Sequence, residues 1–284
     1  MTARAVTELR SLFIEPIAFY VLIRLYGRDR AFLVRLVDTL LIAGVVVSIV
    51  GLFLYARGEG IITAEDGVRR LASVYGSPNN VALFLGRCFP FAVTFALIPV
   101  GRWRRMSGAA AALIMIVTIV LTQSAGALFL GVPLSVIVLL LLIRHRRTRL
   151  MIVGLAASAV VALPLVMQSA RFARLLDFSE GTNFFRLRVW QSAIEMIADR
   201  PITGLGLDQF LYLYRGHYLR PDAWQEPDLS HPHNLILDSW LRLGIVGLLV
   251  TLWIQIVFWR HALALYRRLR ERDLILWALV VGSM

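Results

Sequence analysis

Four polar residues stand at the start of a long apolar run near the C-terminus, in the stretch HPHNLILDSWLRLGIVGLL (residues 231–249). His233 directly precedes Asn234, and Asp238 and Arg242 follow Asn234 at spacings of four and eight residues. On a helix this spacing predicts one polar stripe on an otherwise apolar surface, with Asp238 and Arg242 paired. Ionisable side chains in such a run usually face the interior of a membrane-helix bundle and mark a functional path.

The chemistry that His233 offers is proton transfer near neutral pH, because an unperturbed imidazole has a pKa of about 6.5. A lone histidine at a membrane surface is most simply explained as a side chain satisfied by water. His233 stands beside Asn234 and above the stripe that Asp238 and Arg242 form, and this setting favours a functional role. His231, two residues upstream, is an alternative candidate of the same kind.

Two arginines form a second candidate, in the stretch GTNFFRLRVWQSAIEMIADRP (residues 181–201). The stretch predicts a short amphipathic helix, with Thr182 as its N-cap and Pro201 just past its end. The apolar residues that recur at helical spacing are Leu187, Trp190, Ile194 and Ile197. Arg186 and Arg188 would lie near the helix N-terminus, where guanidinium groups and free N–H groups favour an anion such as phosphate. The alternative is that both side chains reach lipid headgroups.

The stretch that follows, PITGLGLDQFLYLY, combines a tight turn with an aromatic edge. Gly204 and Gly206 form the turn, and Phe210, Tyr212 and Tyr214 supply the aromatic side chains. A Gly-x-Gly pair without a preceding strand is weak support for nucleotide binding. The aromatic residues fit an interfacial aromatic belt at least as well as they fit sugar stacking, so both interpretations stay open.

The apolar composition predicts the elements that position these residues. The 284-residue chain is 58% hydrophobic and 17% charged, and its mean hydropathy is +0.72. The apolar residues form blocks of about 17–25 residues, the length of a membrane-spanning helix. Eight segments are predicted, at residues 11–26, 34–55, 80–100, 108–123, 126–143, 150–167, 235–259 and 274–284. The sequence therefore predicts a polytopic, all-α membrane protein.

The distribution of arginine predicts the orientation of the chain in the membrane. The formal net charge is +12, and all thirty basic residues are Arg, concentrated in short connections between apolar blocks, which argues against nucleic-acid binding. The strongly basic connections alternate with neutral ones, as the positive-inside rule requires of cytoplasmic loops. These basic connections are residues 24–35, 101–105, 144–149 and 260–273. The long stretch 168–234, with seven Arg and eight acidic residues, is then extracytoplasmic.

The predicted fold is a transmembrane bundle of about eight helices with one long extracytoplasmic loop that contains a short amphipathic helix. Residues 1–167 form about six of the helices, 168–234 form the loop with the candidate active site, and 235–284 form the C-terminal helices with the basic cytoplasmic loop. The single cysteine, Cys88, excludes an internal disulfide framework. The loop lacks a carboxylate–histidine cluster with metal-ligand spacing, so neither a metal nor a cofactor is expected.

The histidine motif carries a family resemblance. In one group of membrane ligases, a His is followed by Asn, Ser or Gln, nine residues, Gly, two residues, and then Gly, Thr or Tyr. His233 and Asn234, nine residues up to Leu243, and then Gly244 and Gly247 match this pattern. The sequence therefore resembles the O-antigen ligase/polymerase superfamily, membrane enzymes that act on undecaprenyl-diphosphate-linked glycans.

Three further stretches add to the resemblance, which covers roughly residues 70–259. Arg171 and Leu175 fit the ligases' pattern of Arg, three residues and Leu. The run FRLRVWQSAIEMIADRPITGLGLDQF is similar to the superfamily's loop, where an Arg and a Trp lead into a Pro–Gly–Gly turn. GSPNNVALFL (76–85) is similar to the Pro–Asn start of a membrane helix. Together these motifs are typical of the superfamily, without separating ligase from polymerase.

The resemblance implies a glycosyltransferase of O-antigen ligase or polymerase type, multi-pass in the bacterial cytoplasmic (inner) membrane, with its active site facing the periplasm or exterior. The implied reaction is a metal-independent, inverting transfer in cell-surface polysaccharide and lipopolysaccharide biosynthesis. The donor would be an undecaprenyl-diphosphate-linked glycan. The acceptor would be a hydroxyl of lipid A core, of a growing glycan or of a protein. The implied surroundings are membrane lipid, and nucleic acid is not an expected partner.

The implied reaction also assigns roles to the residues. The leaving group is already a diphosphate, so the enzyme mainly needs cations that hold it and stabilise the departing charge. Arg186 and Arg188 are the first candidates, and Arg171 and Arg174 follow. His233 would be the general base for the acceptor hydroxyl. Asn234 would orient His233 or a sugar. The remaining candidates for substrate binding are Asp238, Arg242 and His231.

Two features depart from the superfamily. Ser124-Ala125-Gly126 stands where relatives commonly have Ser-Arg-Gly, so an expected extracytoplasmic arginine is missing. Relatives also usually have more membrane helices than the eight predicted here, so a shortened member or an incomplete gene product is one expectation.

Two other functions stay open. A transporter or flippase is compatible with intramembrane charges, although no internal repeat is visible. A non-catalytic remnant that binds glycan lipid is the other, and Ala125 favours it.

Overall fold

The computed structural model describes residues 3–27, 29–63, 67–143 and 181–284, and most of these residues are helical, with one β-hairpin among them. Within these ranges four helices are long and apolar enough to cross a membrane: Arg30–Ala56, Pro78–Leu97, Arg102–Thr122 and Leu235–Leu269. Two apolar helices are shorter, Gly126–Leu142 and Leu274–Ser283. The predicted helical membrane class is therefore confirmed, and the total of about eight helices stays a prediction. The segment 150–167 and the connection 144–149 lie outside the described residues.

In chain order the helices are α1 (Ala3–Leu9), α2 (Glu15–Tyr26), α3 (Arg30–Ala56), α4 (Pro78–Leu97), α5 (Arg102–Thr122), α6 (Val132–Leu142), α7 (Gly181–Asp199), α8 (Phe210–Leu213), α9 (Leu235–Leu269) and α10 (Leu274–Ser283). The chain is π-helical at Arg10–Ile14, Gly126–Gly131 and Tyr214–Tyr218, and forms 3₁₀ turns at Ser73–Tyr75 and Pro221–Ala223. Strands β1 (Ile61–Thr63) and β2 (Arg69–Leu71) pair antiparallel, with Ile61 opposite Leu71. This hairpin was not predicted.

The chain divides into two compact units. The first comprises Met1–Tyr26 and Val161–Arg260, and the second comprises Gly27–Val160 and His261–Met284. The sequence predicts a division of the chain after residues 167 and 234 into membrane helices and an extracytoplasmic loop. That division concerns the two sides of a membrane, and it stays a prediction. The histidine and arginine motifs belong to the first unit.

The second unit has an apolar core between α3, α4, α5, α6 and α10. Phe95, Met115 and Ile119 are almost fully buried in this core, and Trp277 of α10 packs with them. α10 begins at Asp273, whose carboxylate accepts N–H bonds from Ile275 and Leu276, each at 3.0 Å. Capping by an aspartate satisfies N–H groups that a helix leaves free at its start. The sequence thus specifies both the packing and the start of this last apolar helix.

The first unit has a smaller core that α7 shares with α8 and the start of α9. The buried side chains of α7 are Val189, Ser192, Ala193, Met196 and Ile197. They pack with Phe210, Tyr214 and Leu241. The predicted apolar stripe is only partly buried, because Ile197 is buried whereas Leu187 and Ile194 are exposed. Thr182 as N-cap was wrong, because α7 already includes Gly181; the predicted end before Pro201 is confirmed.

Helix α9 is interrupted at Gly244, which has a φ of 65° and a ψ of −156°. The interruption frees two backbone groups, and the turn after Pro201 binds both: Leu205 N–H donates to Leu241 O at 2.6 Å, and Ile245 N–H donates to Ile202 O at 3.2 Å. A Cβ on Gly244 would lie 1.9 Å from Ile202 O. Glycine is therefore required here for close approach and for its positive φ. The predicted segment 235–259 lies within α9, but the break at Gly244 was not predicted.

The far end of α9 also corrects a prediction. The connection 260–273 was expected to be a loop, but α9 continues to Leu269 and includes Arg267 and Arg268 in its last turn. Cations at a helix C-terminus interact favourably with the helix dipole, so the same arginines that predicted a loop instead stabilise a helix end. Only the short stretch before α10 is non-helical.

Candidate functional site

Asn234 is the N-cap of α9 rather than its first residue. Its Oδ1 accepts hydrogen bonds from the N–H groups of Ile236 at 3.0 Å and Leu237 at 3.3 Å. The N–H of Asp238 donates to the carbonyl of Asn234 at 2.8 Å. Asn is among the residues that helix N-caps favour most strongly. The amide of Asn234 therefore holds the helix start directly after His233.

His233 lies in a left-handed backbone conformation, with a φ of 53°, and is exposed at the surface. Positive φ is uncommon for a residue other than glycine, although His adopts it more often than most. The His233 ring meets the His231 ring edge to face, with ring centroids 4.2 Å apart and an interplanar angle of 66°. His231 in turn lies 3.0 Å from the hydroxyl of Ser230 through Nδ1. The structure thus brings both candidate histidines together.

The pKa of His233 is lowered from the ordinary imidazole value, chiefly because neighbouring protein atoms shield part of the exposed ring from water. The positive charges of His231 and Arg186 lower it further, and the carboxylate of Asp238 acts in the opposite direction. Each of these causes acts on the charged form of the ring. The neutral imidazole, which can accept a proton, is therefore the favoured form at neutral pH.

Arg186 and Arg188 do not share one helix face or the start of α7. Both lie more than one turn after Gly181, the first residue of α7 that the structure describes. Residues two apart on a helix are separated by about 200° around its axis, so the two guanidinium groups diverge. The two arginines therefore point to different sides of α7, and an anion site at this helix stays a prediction.

Arg186 is the exposed member of the pair. Among the residues that the structure describes, it forms no ion pair or side-chain hydrogen bond. Its charge influences His233, and it also influences Glu226, whose pKa is raised by partial burial while Arg186 opposes the rise. Arg186 thus lies within electrostatic reach of the imidazole and of a carboxylate that the sequence did not single out.

Arg188 is held by protein groups. Its Nη2 lies 2.6 Å from Asp222 Oδ2, and its Nη1 donates to Gln191 Oε1 at 2.9 Å. Its guanidinium carbon lies 5.0 Å from the centre of the Phe184 ring. In the described part of the chain its buried Nε has no acceptor. Arg188 therefore fixes the segment around Asp222 to α7, a role that the sequence did not predict.

Helix α7 and the histidine loop are joined by Trp190. The indole Nε1–H donates to the carbonyl oxygen of Pro232 at 2.9 Å. Pro232 is buried and separates His231 from His233. The resemblance placed a Trp beside the arginines, but its contact with the histidine motif is visible only in the structure. The structure therefore joins the arginine helix directly to the histidine loop.

The predicted pair between Asp238 and Arg242 is confirmed, with Arg242 Nε donating to Asp238 Oδ2 at 2.9 Å. Arg242 Nη1 also donates to a carboxylate of α1, that of Glu8, which accepts the N–H of Asp208 at 2.8 Å as well. The Arg242 side chain is only 11% exposed. Asp208, Asp238 and Arg242 line a narrow cleft together with Ser230. Glu8 was not predicted as part of the site.

The aromatic edge after Gly206 divides into buried and exposed members. Phe210 and Tyr214 are buried and stack on each other, with ring centroids 5.5 Å apart and an angle of 10°. Tyr212 is exposed. Two of the three rings therefore serve the core of the first unit, and only Tyr212 is open to a ligand or to lipid.

The hinge that holds Ala125 in place of the superfamily's arginine still has a guanidinium beside it. In the second unit, Arg70 of β2 donates from Nε to the carbonyl of Thr122 at 3.1 Å. Its Nη2 donates to Oδ1 of Asn79, in the Pro–Asn motif, at 3.0 Å. A guanidinium from the β-hairpin, which was not predicted, therefore lies beside the hinge in which Ala125 replaces the expected arginine.

Arg171 and Arg174 lie outside the described residues, and so does Leu175. Within the described ranges, no group of three or more His, Cys, Asp or Glu side chains is arranged to hold a metal ion. The metal-independent reaction stays a prediction.

The site geometry agrees with the protein family that the sequence matches. No curated protein matches the chain significantly. The sequence model of the O-antigen ligase family matches residues 110–252, half of the chain, and this span contains Trp190, the Gly204 turn, His233 and Gly244. The chain therefore belongs to the O-antigen ligase family, within the O-antigen ligase/polymerase superfamily.

Proposed function

We propose that the chain transfers glycan from an undecaprenyl-diphosphate-linked donor to an acceptor hydroxyl. The family supports glycan transfer and lipid-linked glycan substrates at a general level. The observation that carries the specific proposal is an imidazole with a lowered pKa, His233, within electrostatic reach of an exposed guanidinium, Arg186. Proton acceptance and anion binding are the two functions that such a transfer requires.

In the proposed reaction the acceptor oxygen attacks the anomeric carbon of the donor sugar from the face opposite the diphosphate. The new carbon–oxygen bond forms as the bond to the diphosphate oxygen breaks, and the electron pair leaves with the lipid diphosphate. The hydroxyl proton passes to a ring nitrogen of His233. Attack from the opposite face inverts the anomeric configuration. General-base catalysis of this kind contributes about 10²–10⁴-fold to rate.

Arg186 binds the diphosphate and stabilises the charge that develops as it leaves. Arg188 contributes by holding the segment around Asp222, since its own guanidinium is engaged there. Arg171 and Arg174 stay secondary candidates for the anion. Asn234 fixes the backbone after His233, and its own Oδ1 is occupied by helix N–H groups, which favours this role over sugar binding.

Asp238 and Arg242 form an ion pair at the start of α9, next to the site. The carboxylate of Asp238 raises the pKa of His233. His231 packs against the base and modulates it.

The acceptor is a hydroxyl of lipid A core, of a growing glycan or of a protein. The proposed location is the outer face of the bacterial cytoplasmic membrane, because the basic connections are then cytoplasmic. An impermeant thiol reagent should label Gln225→Cys, and not Glu271→Cys, in intact cells.

The test of the function is a proteoliposome assay with a fluorescent undecaprenyl-diphosphate glycan and a lipid A core acceptor. Transfer is expected as a new, lipid-A-linked fluorescent product, whereas elongation of the donor glycan in acceptor-free vesicles identifies polymerase activity. Movement of the intact donor between leaflets without a product would identify a flippase. Binding without product or movement would identify a non-catalytic glycan-lipid-binding protein.

A further inference from the structure

Trp224 is an exposed aromatic side chain in the loop of the candidate site. Its side chain is 67% exposed, directly after Ala223, which is buried. A single exposed apolar residue needs no explanation by itself. What distinguishes Trp224 is how firmly its segment is held and which side chains surround it.

Four side-chain contacts fasten the residues before Trp224 to helix α7. They are Ser192 Oγ to Tyr218 O, Tyr218 Oη to the Asp199 carboxylate, Arg220 to Glu195, and Arg188 to Asp222. Backbone bonds continue the anchoring, because Ala223 N–H donates to Arg220 O at 2.9 Å and Glu226 N–H donates to Ala223 O at 3.2 Å. The indole is therefore presented from a fixed backbone. A binding residue on a fixed backbone requires little additional ordering of the chain when it binds a ligand.

The neighbours of Trp224 are polar and mostly acidic. Asp222, Gln225, Glu226 and Asp228 lie within four residues of it, and Arg220 is the nearest cation in sequence. An aromatic residue that anchors a protein in the membrane interface usually has basic or apolar neighbours, because anionic headgroups repel carboxylates. Carboxylates and amides instead suit hydroxyl groups, since both accept O–H donors and the amide also donates.

A pyranose ring matches this combination of groups. One face of the ring presents C–H bonds with partial positive charge, and the face of an indole is negative. The edge of the ring presents hydroxyl groups, which Gln225 and Glu226 can bind, whereas Asp222 and Asp228 are paired with Arg188 and Arg215. We propose that Trp224 is a sugar-binding platform that stacks on a pyranose ring of the donor glycan; this inference rests on the proposed function.

The location of Trp224 favours the donor. In the chain it lies between Asp222, which pairs with Arg188, and Glu226, which Arg186 influences. A diphosphate bound at Arg186 would therefore have its glycan close to the indole. In this arrangement Arg186 binds the diphosphate leaving group, and Trp224 binds a sugar of the glycan that is attached to it.

The test compares three probes with the purified full chain in detergent: farnesyl diphosphate, farnesyl diphosphate linked to chitopentaose, and free chitopentaose. Calorimetry or fluorescence gives each dissociation constant. Trp224→Ala should weaken binding of the two glycan probes by roughly fivefold to tenfold and leave farnesyl diphosphate unaffected. Trp224→Phe should retain most of the affinity. Trp253→Ala removes an indole that is 63% exposed in α9, and this matched control should change none of the three constants.

The probes separate the two proposals. If Trp224→Ala leaves the affinity for both glycan probes unchanged, Trp224 is not a sugar platform, whatever farnesyl diphosphate does. If the wild-type chain binds free chitopentaose through Trp224 and does not bind farnesyl diphosphate, the sugar platform stands and the proposed donor is wrong. If Trp224 only anchors the protein in the membrane interface, its replacement in detergent should leave all three dissociation constants unchanged. That result would overturn the proposal.

Discussion

The indole nitrogen of Trp190 donates a hydrogen bond to the carbonyl oxygen of Pro232, at 2.9 Å. Trp190 lies one turn beyond Arg186 on α7, and Pro232 lies between the two histidines of the site. One hydrogen bond therefore connects the helix that carries the candidate cation to the loop that carries the candidate base. The geometry of the site depends on this connection.

Replacing Trp190 with Phe should slow transfer more than it weakens donor binding. Phe keeps an aromatic ring and removes the donor, so the part-buried carbonyl of Pro232 loses its partner, at a cost of about 1 kcal/mol. A displaced base reduces kcat, by about tenfold here, because catalysis is sensitive to small errors in position. Steady-state transfer kinetics give the measurement, with Trp253→Phe as the control. An unchanged kcat would show that the loop holds its position without this bond.

Gly244→Ala should prevent stable folding of the first unit. The added methyl group would lie 1.9 Å from Ile202 O, and the φ of 65° already disfavours alanine. The expected loss exceeds about 3 kcal/mol, as for severe overpacking. Thermal melting in detergent gives the measurement. Gly86→Ala is the matched control, because a Cβ there meets nothing within 4 Å and alanine favours the helix. Equal melting temperatures for the two variants would contradict the steric argument.

Much of the second unit could be predicted from the sequence, because the length of an apolar run directly reflects the membrane thickness that a helix must cross. The predicted segments 34–55 and 108–123 correspond to Arg30–Ala56 and Arg102–Thr122. The pair formed by Asp238 and Arg242 could be predicted for a similar reason, since residues four apart on a helix are neighbours.

The remaining features depend on contacts between distant parts of the chain. Glu8 and Arg242 are separated by 234 residues, so no local pattern links them. The side of α7 that packs in the core could not be predicted, because a membrane protein also exposes large apolar residues such as Ile194, and helical spacing alone does not identify the core side. The interruption at Gly244 depends on a turn that approaches from Ile202.

Glu8→Gln should destabilise the first unit. The Glu8 side chain is 23% exposed and that of Arg242 is 11% exposed, so removing one carboxylate leaves a buried guanidinium with a single anionic partner. Breaking a buried pair costs about 3–5 kcal/mol, and the remaining bond to Asp238 reduces the expected loss to about 2 kcal/mol. The melting temperature in detergent gives the measurement.

The matched control for Glu8 is Glu15→Gln. Glu15 pairs with Arg10 at 3.0 Å, but both side chains are more than half exposed. Exposed pairs contribute about 0–1 kcal/mol, so this variant should melt like the wild type. A Glu8→Gln variant that melts with its control would mean that the contact with Arg242 contributes nothing to the fold.

Arg186→Ala should weaken binding of farnesyl diphosphate by about tenfold or more, since charge-assisted hydrogen bonds to phosphate contribute about 1.5–3 kcal/mol. Arg186→Lys should lose less, because the charge is retained while the bidentate fork is lost. Arg200→Ala, at an exposed arginine just beyond the other end of α7, is the control and should bind normally. Normal donor affinity and turnover in Arg186→Ala would instead identify Arg186 as a lipid anchor.

His233→Ala should bind donor nearly normally and transfer about 10²–10⁴-fold more slowly, because a general base acts on the reaction and not on the binding of the diphosphate. The pH dependence identifies the group. The pKa of His233 is lowered, so the wild-type rate should fall only below the ordinary imidazole value of about 6.5, as the ring becomes protonated. His231→Asn removes one positive charge that lowers this pKa, so the fall should move to higher pH. Asp238→Asn removes the carboxylate that raises the pKa, so the fall should move to lower pH. Rates measured at saturating donor between pH 4 and pH 8 test both shifts; an acid limb that neither substitution moves would assign the titration to another group.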